Sequence, residues 1–157
     1  WEMNYYGITI DETLSKKAMD KALRPALMMV GDKANIINEN TIIFAHSIAP
    51  IFICKFLVEN KIKVKRLVFV CGFNNYLEID KDYDAVNESM YFDNLTDVKD
   101  YCDDIVCFYS GNDPYVKYEV EKEFANIITE NQIVIADGGH LNSESGYIEF
   151  SELLKYL

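Results

Sequence analysis

The sequence predicts an α/β fold, a three-layer sandwich built on a mostly parallel sheet, and three observations carry that prediction. Short, near-continuous apolar runs recur at Thr41–Ala45, Leu67–Cys71, Ile105–Tyr109 and Gln132–Ala136. Strands with no polar face are buried on both sides, as in parallel sheets. Segments of helical spacing separate the runs, so each strand is followed by a crossover. Polar and glycine residues close the runs, and in such sheets the carboxyl ends of the strands hold the ligand site.

The elements follow in order. From Thr9 to Gly31 the apolar Leu14, Ala18, Ala22 and Leu23 fall at helical spacing, and Pro25 splits the segment because it lacks an amide donor. Two helices are expected, over 11–23 and 25–30. The first strand is Thr41–Ala45, and Ile48–Asn60 is a helix that buries Phe52, Phe56 and Leu57. Leu67–Cys71 is the second strand. Phe73–Phe92 shows no period and carries five carboxylates among aromatic residues, which predicts a long surface connection. A short helix over Asp93–Tyr101, a strand at Ile105–Tyr109, a helix over Lys117–Thr129, a strand at Gln132–Ala136 and a terminal helix over Gly146–Leu157 complete the chain.

The 157 residues suit one domain spanning 1–157, and half of them are apolar, enough for a sizeable core. The net charge of −11 repels polyanions and anionic headgroups, so neither nucleic acid nor a membrane surface is an expected partner. No apolar run approaches the roughly eighteen residues of a membrane span. Cys54, Cys71, Cys102 and Cys107 lack the spacing of a zinc site and lie in apolar stretches, so they read as free thiols in a reducing, cytoplasmic setting. No cofactor or metal is expected. Nucleotide binding lacks both G-x-G-x-x-G and G-x-x-x-x-G-K.

Chemistry gathers at the strand ends. The first strand runs into Ala45-His46-Ser47-Ile48-Ala49 and then directly into a helix, the setting that exposes a nucleophilic serine on a tight elbow. Small residues two positions to either side let strand and helix approach, and Pro50 suits a first helical turn. A serine hydroxyl needs an imidazole base, and the base needs a carboxylate to orient it. His140 follows the fourth strand in Asp137-Gly138-Gly139-His140, and Asp113 follows the third in Ser110-Gly111-Asn112-Asp113-Pro114. Asp137 competes with Asp113 for the acid. Strand alternation points His46 away from the elbow, into packing.

The order Ser47, Asp113, His140 is that of the α/β-hydrolases. Thr41-Ile-Ile-Phe-Ala-His-Ser47, Leu67-Val-Phe-Val-Cys-Gly-Phe73, Ser110-Gly-Asn-Asp-Pro-Tyr-Val116 and Gly138-Gly-His140 resemble the retinoblastoma-binding-protein-9-like (YdeN-type) family of small serine hydrolases. The resemblance implies an α/β-hydrolase-like fold, with Ser47, Asp113 and His140 in the catalytic positions and small esters or related acyl compounds as substrates. Ile48 N–H is expected in the oxyanion hole, and Phe73, Tyr76 and Tyr115 along the acyl pocket.

Members of that family open with a strand and a glycine-containing loop that supplies a second oxyanion donor, and the residues from Trp1 onward show no such segment ahead of the first predicted strand. The expectation is therefore a piece of a longer chain lacking its N-terminal strand, or a fold that has lost activity, with the non-methionine start favouring the former. A sheet edge left open in this way can pair with another copy of the chain, giving a homo-oligomer. The alternative function is a non-catalytic binding protein that uses the acidic, tyrosine-rich 73–92 segment as a contact surface.

Overall fold

Among the described residues, four parallel strands lie side by side in chain order: β1 (Ile42–His46), β2 (Arg66–Val70), β3 (Ile105–Ser110) and β4 (Gln132–Ile135). The computed structural model describes residues 37–79 and 81–156. The helices expected over 11–23 and 25–30 lie outside the described residues. Ile42 sits opposite Arg66, Leu67 opposite Ile105 and Cys107 opposite Gln132, so all four carboxyl ends emerge along one rim.

Each crossover steps to the next strand in the same direction, and right-handed crossovers then stack the connections on one face. That face carries α1 (Ala49–Asn60), a 3₁₀ turn at Leu95–Asp100 and α3 (Tyr118–Ile128). Because side chains alternate along a strand, Phe69 and Tyr109 meet this layer, on Phe124 and Tyr118. Val68, Val70, Val106 and Phe108 point the other way, into a cluster with Tyr147, Phe150, Leu153 and Tyr156. The three-layer arrangement on a parallel sheet predicted from the strand pattern is the one observed, and it fits the α/β-hydrolase-like fold that the resemblance implied.

Two segments differ from expectation. The helix expected over 146–157 is instead a short 3₁₀ turn at Ser151–Tyr156, and another, Ser143–Ser145, lies just before the expected start. The core-facing residues 147, 150, 153 and 156 recur every third position, the period of a 3₁₀ turn and not the 3.6 of an α-helix. Residues 73–92 are more ordered than a surface loop, with α2 (Lys81–Asn87) and a 3₁₀ turn at Glu88–Met90. Asp84 accepts the Leu77 and Glu78 amides, and the Asn74 side chain brackets the backbone of Phe92. Such side chain-to-backbone bonds fold a segment without leaving any apolar period to read.

At the amino ends of the strands, Arg66 holds Asp104 through Nε at 2.7 Å and donates to the Tyr156 carbonyl, joining β2, the approach to β3 and the C-terminal turn. The third-residue spacing makes a sharp prediction for that turn. Leu153 is buried while Leu154 is 67% exposed, so Leu153→Ala should cost about 2–5 kcal/mol in urea unfolding. Leu154→Ala should stay within about 0.5 kcal/mol of wild type.

Candidate active site

The rim formed by the strand ends is where the polar residues converge. β1 stops at His46, and Ser47 takes φ 63°, the left-handed region that a residue with a Cβ enters at a cost of about 1–3 kcal/mol. Its amide donates to the Val70 carbonyl at 2.9 Å, tying the elbow to β2. Helix α1 begins two residues later with Pro50 in its first turn, where an amide donor has no intrahelical partner. The chain thus reverses sharply at Ser47 and lifts its hydroxyl above the sheet.

Asp113 and His140 arrive from the turns after β3 and β4. The Asp113 side chain has no exposed surface. Its Oδ1 accepts the amides of Tyr115 and Val116 at 2.8 and 3.0 Å, and its Oδ2 lies 2.6 Å from His140 Nδ1. Burial alone would raise the carboxyl, but the hydrogen bonds from His140, Val116 and Tyr115 outweigh it and hold Asp113 below the usual carboxylate range. A carboxylate only accepts, so Nδ1 carries the proton and leaves a lone pair on Nε2. That lone pair faces Ser47 Oγ at 3.2 Å. A hydroxyl so placed can pass its proton to the ring as it attacks an electrophile.

The two turns are fastened to each other. Ser110 Oγ accepts the Gly138 amide at 3.1 Å and donates to Asn112 Oδ1, which in turn accepts the Gly139 amide at 2.8 Å. Gly111 lies so close to β4 that a Cβ there would stand 2.7 Å from the Ala136 carbonyl oxygen. Gly139 has φ +55°, which lets the chain turn before His140 without strain. The His140 amide then donates to Ser145 Oγ at 3.1 Å.

His46 corrects the expectation drawn from alternation. It does lie on the face opposite the α1–α3 layer, but the His140 loop folds over that same face, and the two rings stand 4.6 Å apart. His46 Nε2–H donates to the His140 carbonyl at 2.8 Å. Burial pulls the His46 ring below its ordinary value and keeps it neutral. The contact depends on how a distant loop folds, so local pattern could not reveal it.

The remaining candidates fall around this centre. Ile48 contributes its amide at the amino end of α1, and its side chain packs on Phe73, Leu77 and Val116. Phe73 is 1% exposed and belongs to that apolar cluster. Tyr115 stands edge-on to the His140 ring at 5.1 Å, whereas Tyr76 is bonded to Glu88 and packed on Tyr91. Asp137, the rival acid, is exposed, while the His140 ring bonds Asp113.

Among the described residues, two groups place three metal-type donor atoms within 4.8 Å of one another: His46, Cys71 and His140, and Cys71, Asp113 and Glu121. Both need Cys71, whose thiol burial and the nearby Glu121 and Asp113 push far above its ordinary value. A protonated thiol is a poor ligand.

The family model for serine hydrolases matches residues 15–157. The chain belongs to the serine hydrolase family. Among solved structures, this serine hydrolase is similar to the ydeN gene product from B. subtilis, with a TM-score of 0.74 and 20% identity over 83% of this chain and 70% of that one. At that identity the likeness speaks for the fold. A search of curated proteins gave no match. Family and fold together point to a hydrolase, and none of its described helices is long and apolar enough to cross a membrane.

The depressed Asp113 carboxyl has a stability consequence with a definite sign. Its charge contributes stability in full above the unfolded carboxylate range, and that contribution is lost as pH falls through the lower folded value. The melting temperature of Asp113→Asn should therefore lie furthest below wild type above about pH 5, with the gap closing in more acidic buffer. A gap independent of pH would show that the charge does not hold the turn.

Proposed function

We propose that the chain hydrolyses small esters or related acyl compounds through an acyl-enzyme, with Ser47 as nucleophile, His140 as base and Asp113 as the acid that orients it. The observation that supports this best is the unbroken relay from a serine in left-handed backbone to an imidazole at 3.2 Å and on to a buried carboxylate at 2.6 Å. A strained elbow, a defined tautomer and an enclosed charge together have no simpler structural purpose.

Ser47 Oγ attacks the acyl carbonyl as His140 Nε2 takes its proton, and negative charge grows on the carbonyl oxygen. The Ile48 amide, at the amino end of α1 where N–H groups lack intrahelical partners, helps to hold that charge. Collapse of the intermediate expels the alcohol, protonated by His140, and leaves the acyl group on Ser47. Water then attacks the ester carbon with its proton going to His140, and the carboxylic acid leaves as the proton returns to Ser47. Tyr115, beside the His140 ring, and Ile48, packed on Phe73, bound the space in which the acyl group would lie. The four buried free cysteines favour a reducing, cytoplasmic location for this chemistry.

A fluorophosphonate probe should label Ser47, and Ser47→Ala should abolish labelling and lower kcat on p-nitrophenyl acetate by at least about 10⁴-fold. Equal turnover by wild type and Ser47→Ala, with no labelling of either, would replace catalysis with a binding role for the same fold.

A further inference from the structure

Behind the Asp113 carboxylate lies a second carboxyl that the relay does not use. Helix α3 buries Phe124, Ala125 and Ile128 against the sheet, and Glu121 occupies the same stripe at 1% exposure. Charged residues are almost never buried so fully without a partner. Glu121 Oε2 accepts the Ser110 amide at a long 3.3 Å, and Oε1 is buried with no hydrogen-bond partner among the described residues. Donor atoms of Glu121, Asp113 and Cys71 lie within 4.8 Å of one another.

Among the described residues, the groups facing Glu121 include no Lys or Arg side chain. From β3 come the Ser110 amide and the Tyr109 phenol, from the residue after β2 the Cys71 thiol, and from the turn after β3 the Asp113 carboxylate, with the His140 ring beyond it. No Lys or Arg pairs with Glu121 among the described residues. An ionised Glu121 would set two buried charges side by side with nothing to offset the second. Burial first, and then the charge on Asp113, push the Glu121 carboxyl up to about 9, so it keeps its proton at neutral pH.

We propose that Glu121 is a positioning residue for the hydrolase: as a neutral acid it holds the end of β3 and the Asp113 turn in place, and its ionisation in alkaline solution loosens that turn and shuts hydrolysis down. The proposal rests on Ser47, His140 and Asp113 being the catalytic relay. Ser110 is the joint through which Glu121 acts, since its amide meets Glu121 while its hydroxyl holds Gly138 and Asn112. Repulsion between Glu121 and Asp113 would pull on that joint and on the 2.6 Å bond to His140 together.

Stability follows with its own sign. A carboxyl raised in the fold keeps a proton that the unfolded chain has released, so the folded state is disfavoured progressively as pH climbs from about 5 to about 9, and no further above. Glu121→Gln removes that slope while keeping an uncharged hydrogen-bonding group of the same shape.

The test compares wild type, Glu121→Gln and Glu121→Ala in p-nitrophenyl acetate hydrolysis between pH 6 and 10.5 and in thermal melts at pH 5 and 9. Wild type should lose kcat along an alkaline limb that Glu121→Gln lacks, the variant being about tenfold faster one pH unit above the midpoint. Glu121→Ala should lower kcat about tenfold or more at neutral pH with KM within about twofold, a loss that glutamine largely restores. The melting temperature of Glu121→Gln relative to wild type should rise between pH 5 and pH 9.

Alkaline limbs that coincide, or a melting difference that ignores pH, overturn the proposal. Failure of the fluorophosphonate probe to label wild-type Ser47 overturns the relay and the positioning role together. The melts, which need no activity, still decide separately whether Glu121 is held neutral.

Discussion

A carboxylate with no exposed surface must have its charge met by donors, and Asp113 meets that demand from two directions. Two amides of its own turn occupy one oxygen, and the imidazole of a residue 27 positions later occupies the other. The first pair fixes the turn after β3, and the third bond draws in the loop after β4. Once His140 is held there, its tautomer and the direction of Nε2 are settled, and the hydroxyl at the end of β1 lies within reach. The Ser110 and Asn112 side chains fasten the two turns together, and the buried charge is what orients the imidazole within that meeting.

The parallel sheet makes the meeting cheap. Adjacent strands in sequential order bring the ends of β1, β3 and β4 within a few strand spacings of one another, so each loop needs only a short excursion. Strand interiors carry the hydrophobic drive, and the rim carries the polar bonds. The Ser110 and Asn112 side chains hold the two turns together across the rim, and Arg66 clamps the opposite ends of the strands. Strain at Ser47 is sustained because α1 on one side and the Val70 carbonyl on the other leave the backbone no easier path.

Much of this was legible in the residues, because strands buried on both faces leave long apolar runs and the chemistry of parallel sheets lies at their ends. The strands were found to within about one residue, which is the ordinary uncertainty of element boundaries. The relay residues could be nominated from their places after β1, β3 and β4. Three things were not legible. Residues 73–92 fold through the Asn74 and Asp84 side chains, which bond backbone where an apolar pattern would otherwise be needed. His46 meets His140 only because a loop 94 residues away lies over its face. The Ser110 network joins atoms 28 residues apart, and serine and asparagine in a turn look the same whether or not they reach across to another loop.

Glu121 is the instructive middle case, because its signal was present in the helix pattern. In Glu121, Phe124, Ala125 and Ile128 the spacing is that of a core stripe, and one member of the stripe is charged. Local rules broken inside an otherwise consistent element concentrate at sites with a purpose beyond folding. The consistent remainder of α3 locates that purpose: its apolar members hold the helix to the sheet, so the one polar member is delivered, without freedom to move away, to the end of β3 where the acid turn begins. A surface glutamate could swing into solvent on losing its proton. This one cannot, and any charge it acquires must be felt by Cys71 and by Ser110 and Asp113, the two groups on which the geometry of the relay depends.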